Sequence, residues 1–68
     1  MKTESILKFT RAKFGDKGWI AMNIDKEWYW YEKKPTRDNT YFYVWNTRAF
    51  LVCTQGEHPN WKESLVKL

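Results

Sequence analysis

Apolar and polar residues alternate through much of this chain, at the two-residue period of a pleated strand. The run Ile6-Leu7-Lys8-Phe9-Thr10-Arg11-Ala12-Lys13-Phe14 alternates in part, with Leu7 and Phe9 on one side and Lys8 and Thr10 on the other. It reads as a first strand, with a helix as the alternative because Ala, Lys and Arg are tolerated there. Gly15-Asp16-Lys17-Gly18 then reads as a hairpin loop. Beyond it Ile20, Met22 and Ile24 fall on one face and Trp19, Ala21 and Asn23 on the other, the pattern of a half-buried strand.

Asp25-Lys26-Glu27 is a polar turn into the densest aromatic run, Trp28-Tyr29-Trp30-Tyr31, on a strand over residues 28–34. Four adjacent large rings suit a strand, whose side chains alternate sides, and suit a helix poorly. Pro35-Thr36-Arg37-Asp38-Asn39 has the composition of a hairpin loop. Residues 40–45, with Tyr41-Phe42-Tyr43-Val44-Trp45, read as the returning partner strand. Asn46-Thr47 is a turn or bulge, and Arg48-Ala49-Phe50-Leu51-Val52-Cys53-Thr54 a last strand, apolar on both sides in its middle and so central or covered. After the loop Gln55-Gly56-Glu57-His58-Pro59, the run Asn60-Trp61-Lys62-Glu63 resembles a capping box. It predicts a short C-terminal helix docked by Trp61 and Leu65, four apart, with Leu68 three further on. The expected fold class is α+β, mainly β: a small antiparallel sheet of four to five strands with a short C-terminal helix, in one domain spanning 1–68.

Length makes that core marginal, since a chain of 68 residues buries only roughly 60% of its unfolded surface. Cys53 is the only cysteine, so no disulfide closes within the chain, and with His58 it is a poor start for a tetrahedral metal site. Five Trp, four Tyr and four Phe supply the missing bulk, and any surplus left exposed favours self-association, so a homo-oligomer is expected. Residues 1–5 are polar and expected to fray. Met1-Lys2 is followed by no apolar run of about 7–15 residues, so no secretory signal is expected. No stretch has membrane-spanning length, so no membrane partner is expected, and the lone cysteine suits a reducing cytoplasm.

Two constellations carry candidate chemistry. In the aromatic ladder, Trp28 and Trp30 share one face of their strand, and Tyr41, Tyr43 and Trp45 one face of theirs. Cross-strand aromatic pairs stabilise a small sheet by roughly 0.2–1 kcal/mol each. Exposed rings instead anchor a protein partner, or stack on bases at about 1–3 kcal/mol per base. The second constellation is the basic loop with Lys33, Lys34 and Arg37, joined across the hairpin by Arg48. Those cations either rim a binding surface and grip phosphate, or only keep a hairpin tip soluble. Twelve basic against eight acidic residues give a net charge of +4, a weak pull towards anionic partners. Cys53, Glu57 and His58 lie close in sequence, but a cysteine in an apolar strand behaves as a small hydrophobe. No catalytic residue, metal site or cofactor is expected, and the chain does not read as an enzyme.

The blocks Trp28-Tyr29-Trp30-Tyr31-Glu32-Lys33-Lys34-Pro35 and Asn60-Trp61-Lys62-Glu63-Ser64-Leu65 resemble those of short bacteriophage accessory proteins. That family carries a W-Y-W-Y-E-x-x-P block, a middle tryptophan and a closing N/D-W-K-E/D-S-L. The resemblance covers the second and last thirds of the chain and implies a viral accessory protein in the host cytoplasm. It brings no catalytic residues. The function expected is inhibition or sequestration of a host or antiviral-defence protein through an aromatic, basic-rimmed surface. The alternative is binding of a nucleotide signal or single-stranded nucleic acid, as a cyclic-nucleotide sponge does. The residues expected to bind are Trp28, Trp30, Tyr43, Trp45, Lys33, Lys34, Arg37 and Arg48.

Overall fold

A computed structural model describes residues 2–68, and its first element is a helix, α1, over Thr3–Phe14. This corrects the strand expected over residues 6–14 and the C-terminal helix of the expected fold class. The true period is four: Ile6 and Thr10 are buried, and Phe14 continues their stripe. Thr10 hides that period, because a polar residue holds a core position. Its hydroxyl donates to the Ile6 carbonyl at 2.6 Å, so the burial leaves nothing unsatisfied. Glu4 in the first turn and Arg11 and Lys13 in the last suit the helix dipole. Gly15, at φ 75°, ends the helix and donates its amide to the Arg11 carbonyl. The fraying expected over residues 1–5 includes Met1, which lies outside the described residues; from Thr3 the chain is helical.

The main sheet has four antiparallel strands: β1 (Trp19–Met22), β2 (Trp28–Tyr31), β5 (Ala49–Cys53) and β6 (Val66–Lys67), in the order β5-β2-β1-β6. Two further strands, β3 (Thr36–Arg37) and β4 (Phe42–Tyr43), form a separate ribbon. The aromatic strand β2 is central, and its partners are β1, with Trp19 opposite Tyr31 and Met22 opposite Trp28, and β5. Residues 40–45 therefore do not return along β2 as expected. They turn back on the Thr36–Arg37 strand, because the chain leaves β2 at Glu32 and reaches Pro35, which has no amide for a ladder.

The C-terminal residues make one 3-10 turn, Trp61–Glu63, and then strand β6. Asn60 caps that turn, its side-chain carbonyl accepting from the Lys62 amide at 3.2 Å. The next residue inwards stops a longer helix: Ser64 is buried, and its hydroxyl accepts from the Met22 amide of β1 at 2.7 Å. From there alternate residues serve opposite faces of the sheet, Leu65 packing on one and Val66 and Leu68 on the other.

The result is three layers. Ile20, Met22 and Trp28 face α1 and pack on Ile6. Ala21 and Tyr31 face the ribbon and pack on Phe42. Trp30 lies on the helix side, where Phe14 stacks on it at 4.2 Å between ring centroids with the planes 5° apart. The fully buried Trp28 leaves its indole N–H without a hydrogen-bond partner, and its ring is admitted only because residue 56 is glycine. A Cβ there would lie 2.5 Å from the Trp28 Nε1 and from the Met22 sulfur.

Candidate functional site

The strand alternation of β2 decides the fate of its rings. Trp28 and Trp30, read from sequence as anchors, are inside, at 0% and 6% exposure. Trp30 also donates its indole N–H to the Lys17 carbonyl at 2.9 Å, which ties the loop after α1 to the sheet. The rings left on the surface come from the ribbon and the segment after it. Tyr41 is 49% exposed, Tyr43 is half-buried and Trp45 is 77% exposed. Alternating positions 41, 43 and 45 put them in a row. Tyr41 meets Tyr43 edge to face at 5.7 Å, and Tyr43 meets Trp45 the same way at 5.9 Å.

That row is braced at two points. At one end Asp38 folds an Asx turn, its carboxylate accepting from the Thr40 amide at 2.7 Å, the Thr40 hydroxyl at 2.8 Å and the Tyr41 amide at 2.9 Å. Those donors, the Thr40 amide first, hold the Asp38 carboxyl below its ordinary pKa. One residue further on, the Phe42 amide donates to the Asn23 side-chain carbonyl at 2.8 Å, which docks the ribbon on the hairpin between β1 and β2. Sequence reasoning set Tyr41 beside Tyr43 and Trp45 but did not include it among the binding residues; the Asp38-Asn39-Thr40 turn was the available signal.

Beside the row, a cleft of 220 Å³ opens between the ribbon and the sheet, lined by Tyr29, Tyr31, Tyr43, Val44 and Ala49 among others. Two of its phenols, those of Tyr29 and Tyr31, are held in their neutral form. Tyr29 donates to the Glu27 carboxylate at 2.9 Å, and that bond, with burial and the charge of Glu27, raises its pKa. Burial pushes Tyr31 up to about 12, and its hydroxyl faces the Phe42 carbonyl at 3.5 Å. The phenols of Tyr29 and Tyr31, with Val44 and Ala49 beside them, offer shape, ring contact and hydrogen bonds.

The expected basic rim is divided. Lys34 places its ammonium over the Trp19 ring at 5.4 Å, and Lys67 approaches the same ring at 5.7 Å. Lys33 is exposed in the segment just after β2. Arg37 is exposed on β3 across from Phe42, and donates to the Asp38 carbonyl at 3.1 Å. Arg48 is exposed, and its carbonyl accepts from the Glu32 amide, which leads the chain into β5 next to the cleft residue Ala49. Of the eight residues read from sequence, the structure thus sets Tyr43 and Trp45 together, with Arg37 on β3 and Arg48 just before β5.

The polar residues of the 53–60 segment are used locally. His58 accepts from the Asn60 amide at Nδ1, 3.0 Å away, and sets its ring edge against Trp28 at 6.2 Å. Cys53 is half-buried against the helix-side core, and its sulfur accepts from the Gln55 amide at 3.3 Å. Among the described residues no group of three His, Cys, Asp or Glu side chains is placed to hold a metal ion. Among the same residues no helix is long and apolar enough to cross a membrane. No protein-family model matches the chain, and searches of the curated proteins and of the solved structures returned no match.

Proposed function

We propose that this chain is a non-enzymatic binding protein that occludes a partner protein through the Tyr41–Tyr43–Trp45 row and the cleft beside it. The sequence resemblance supplies the setting, a bacteriophage accessory protein meeting a host or defence protein in the host cytoplasm. The observation that carries the reading is the exposed row itself: three adjoining rings, held by Asp38 and Asn23, with the largest of them 77% exposed. Each aromatic side chain offers roughly 150–250 Å² for burial, and such anchors dominate interface energies. The edge-to-face packing of the row favours a protein over a nucleic acid. Bases stack on open, parallel ring faces, whereas Tyr43 turns its ring at 61° and 87° to its two neighbours.

The test is capture from host lysate by the wild-type chain and by Tyr41→Ala/Trp45→Ala, with each retained protein identified and then titrated in purified form. Far-ultraviolet circular dichroism verifies that the variant is folded. The expected result is one protein held stoichiometrically by the wild type and bound at least about tenfold more weakly by the variant. Equal binding by a folded variant contradicts the proposal. So does tight, salt-sensitive binding of oligonucleotides that needs these rings, which would move the function to nucleic acid.

A further inference from the structure

The two edges of the main sheet differ. At β6 the edge is two residues long and includes Lys67, both of which discourage strand addition. At β5 it is five residues long, Ala49-Phe50-Leu51-Val52-Cys53, with no charge and no proline. Phe50 is 45% and Leu51 51% exposed there. Phe9 of α1, 49% exposed, lines a 130 Å³ hollow with Val52 and Cys53 on the same flank. Half of the large hydrophobic residues left exposed among the described residues therefore gather at this edge.

Its hydrogen-bonding groups are phased as well as exposed. The Glu32 amide donates to the Arg48 carbonyl, so Arg48, and Phe50 two residues on, turn their main-chain groups towards β2. Ala49 and Leu51 turn theirs outwards, to the open edge. Beyond them the register slips, with Leu51 opposite Tyr29 and Cys53 opposite Trp28, so Val52 is an extra residue that bulges the strand and ends its straight part.

We infer that the open edge of β5 pairs antiparallel with the same edge of a second copy of this chain, about a two-fold axis at Phe50. That axis sets Ala49 of each copy opposite Leu51 of the other, so the outward groups of both residues are satisfied. Arg48 then faces Val52, and no like charges meet across the seam. The two Phe50 residues fall opposite one another at a non-hydrogen-bonded position, where side chains come closest. Phe50 already packs on Trp30 at 5.9 Å and Phe14 at 5.8 Å, so the axis joins two three-ring clusters into one. The contact is isologous, so it closes at two copies. It uses none of the Tyr41–Trp45 row, and stands or falls apart from the function proposed above.

Sedimentation of the wild-type chain should show a concentration-dependent exchange between 8.3 kDa and twice that mass. Two copies of net charge +4 repel, so added salt should favour the dimer. Leu51→Lys should leave only monomer. In a Cys53→Ser background, oxidised Phe50→Cys should form a covalent dimer, because the axis brings those Cα atoms to about 4.5 Å, within disulfide reach. Arg48→Cys should not, since two such residues would stand roughly 13 Å apart along the strands. A wild type monomeric at all concentrations, a dimer that survives Leu51→Lys, or cross-linking at position 48 rather than 50 would overturn the inference. Open-ended oligomers in place of a dimer would overturn it too.

Discussion

Tyr29 and Tyr31, adjacent in register on one strand, show how single residues divide the work here. Each has a raised pKa, Tyr29 through its bond to Glu27 and Tyr31 through burial, to about 12. Unfolding returns the Tyr31 phenol to its ordinary 10.0. A folded-state pKa above the unfolded value means the stability tied to that proton is complete below pH 10 and is lost as the pH rises through about 12. Unfolding midpoints measured across that window should fall for the wild type and fall less steeply for Tyr31→Phe. An identical alkaline slope in the two proteins would show that Tyr31 is not the buried phenol described. The same scale explains Gly56 and Thr10: one admits the Trp28 ring by lacking a Cβ, and the other enters the core by bonding its hydroxyl within the helix.

At the scale of elements, local signals and long-range ones part company. The polar stretch of residues 25–27 does turn between two strands, with Lys26 at φ 69° and the Glu27 amide bonded to Asp25. The face-sharing of Tyr41, Tyr43 and Trp45 was legible because period two depends only on neighbours in sequence. What residues 28–31 pair with was not legible, because antiparallel partners on both sides satisfy the same alternation, and the apolar run 49–53 qualified as well as 40–45. The N-terminal helix was masked by Thr10 in its buried stripe, and the C-terminal helix was forestalled by Ser64, whose role needs Met22 forty-two residues away. The ribbon is the element on which function is proposed to rest, and Asp38 is its brace. Asp38→Ala should speed hydrogen exchange at the Thr40 and Tyr41 amides and leave β1 and β2 protected. Because its pKa is lowered, the brace is present above the ordinary value of 3.8 and is lost as the pH falls through the lower folded value. Unchanged exchange in Asp38→Ala would show that the turn is held by something else.

Across the whole molecule, thirteen rings are shared between an interior and a surface that a 68-residue chain can barely separate. A helix on one face and a ribbon on the other hide Trp28, Trp30, Tyr31 and Phe42, while the segment after the ribbon holds Trp45 in solvent. The helix-side rings hold the sheet together, and the row of Tyr41, Tyr43 and Trp45 stays on the surface. Thermal unfolding of Trp30→Ala and Trp45→Ala, side by side, measures that division most directly. Removing Trp30 takes away the ring stacked on Phe14 and the bond to Lys17, at a cost of about 3–5 kcal/mol, so its Tm should drop by more than about 10 °C. Trp45→Ala should stay within about 0.5 kcal/mol of the wild type, a shift of a few degrees at most. Equal losses in the two variants, or a larger loss at Trp45, would contradict the account.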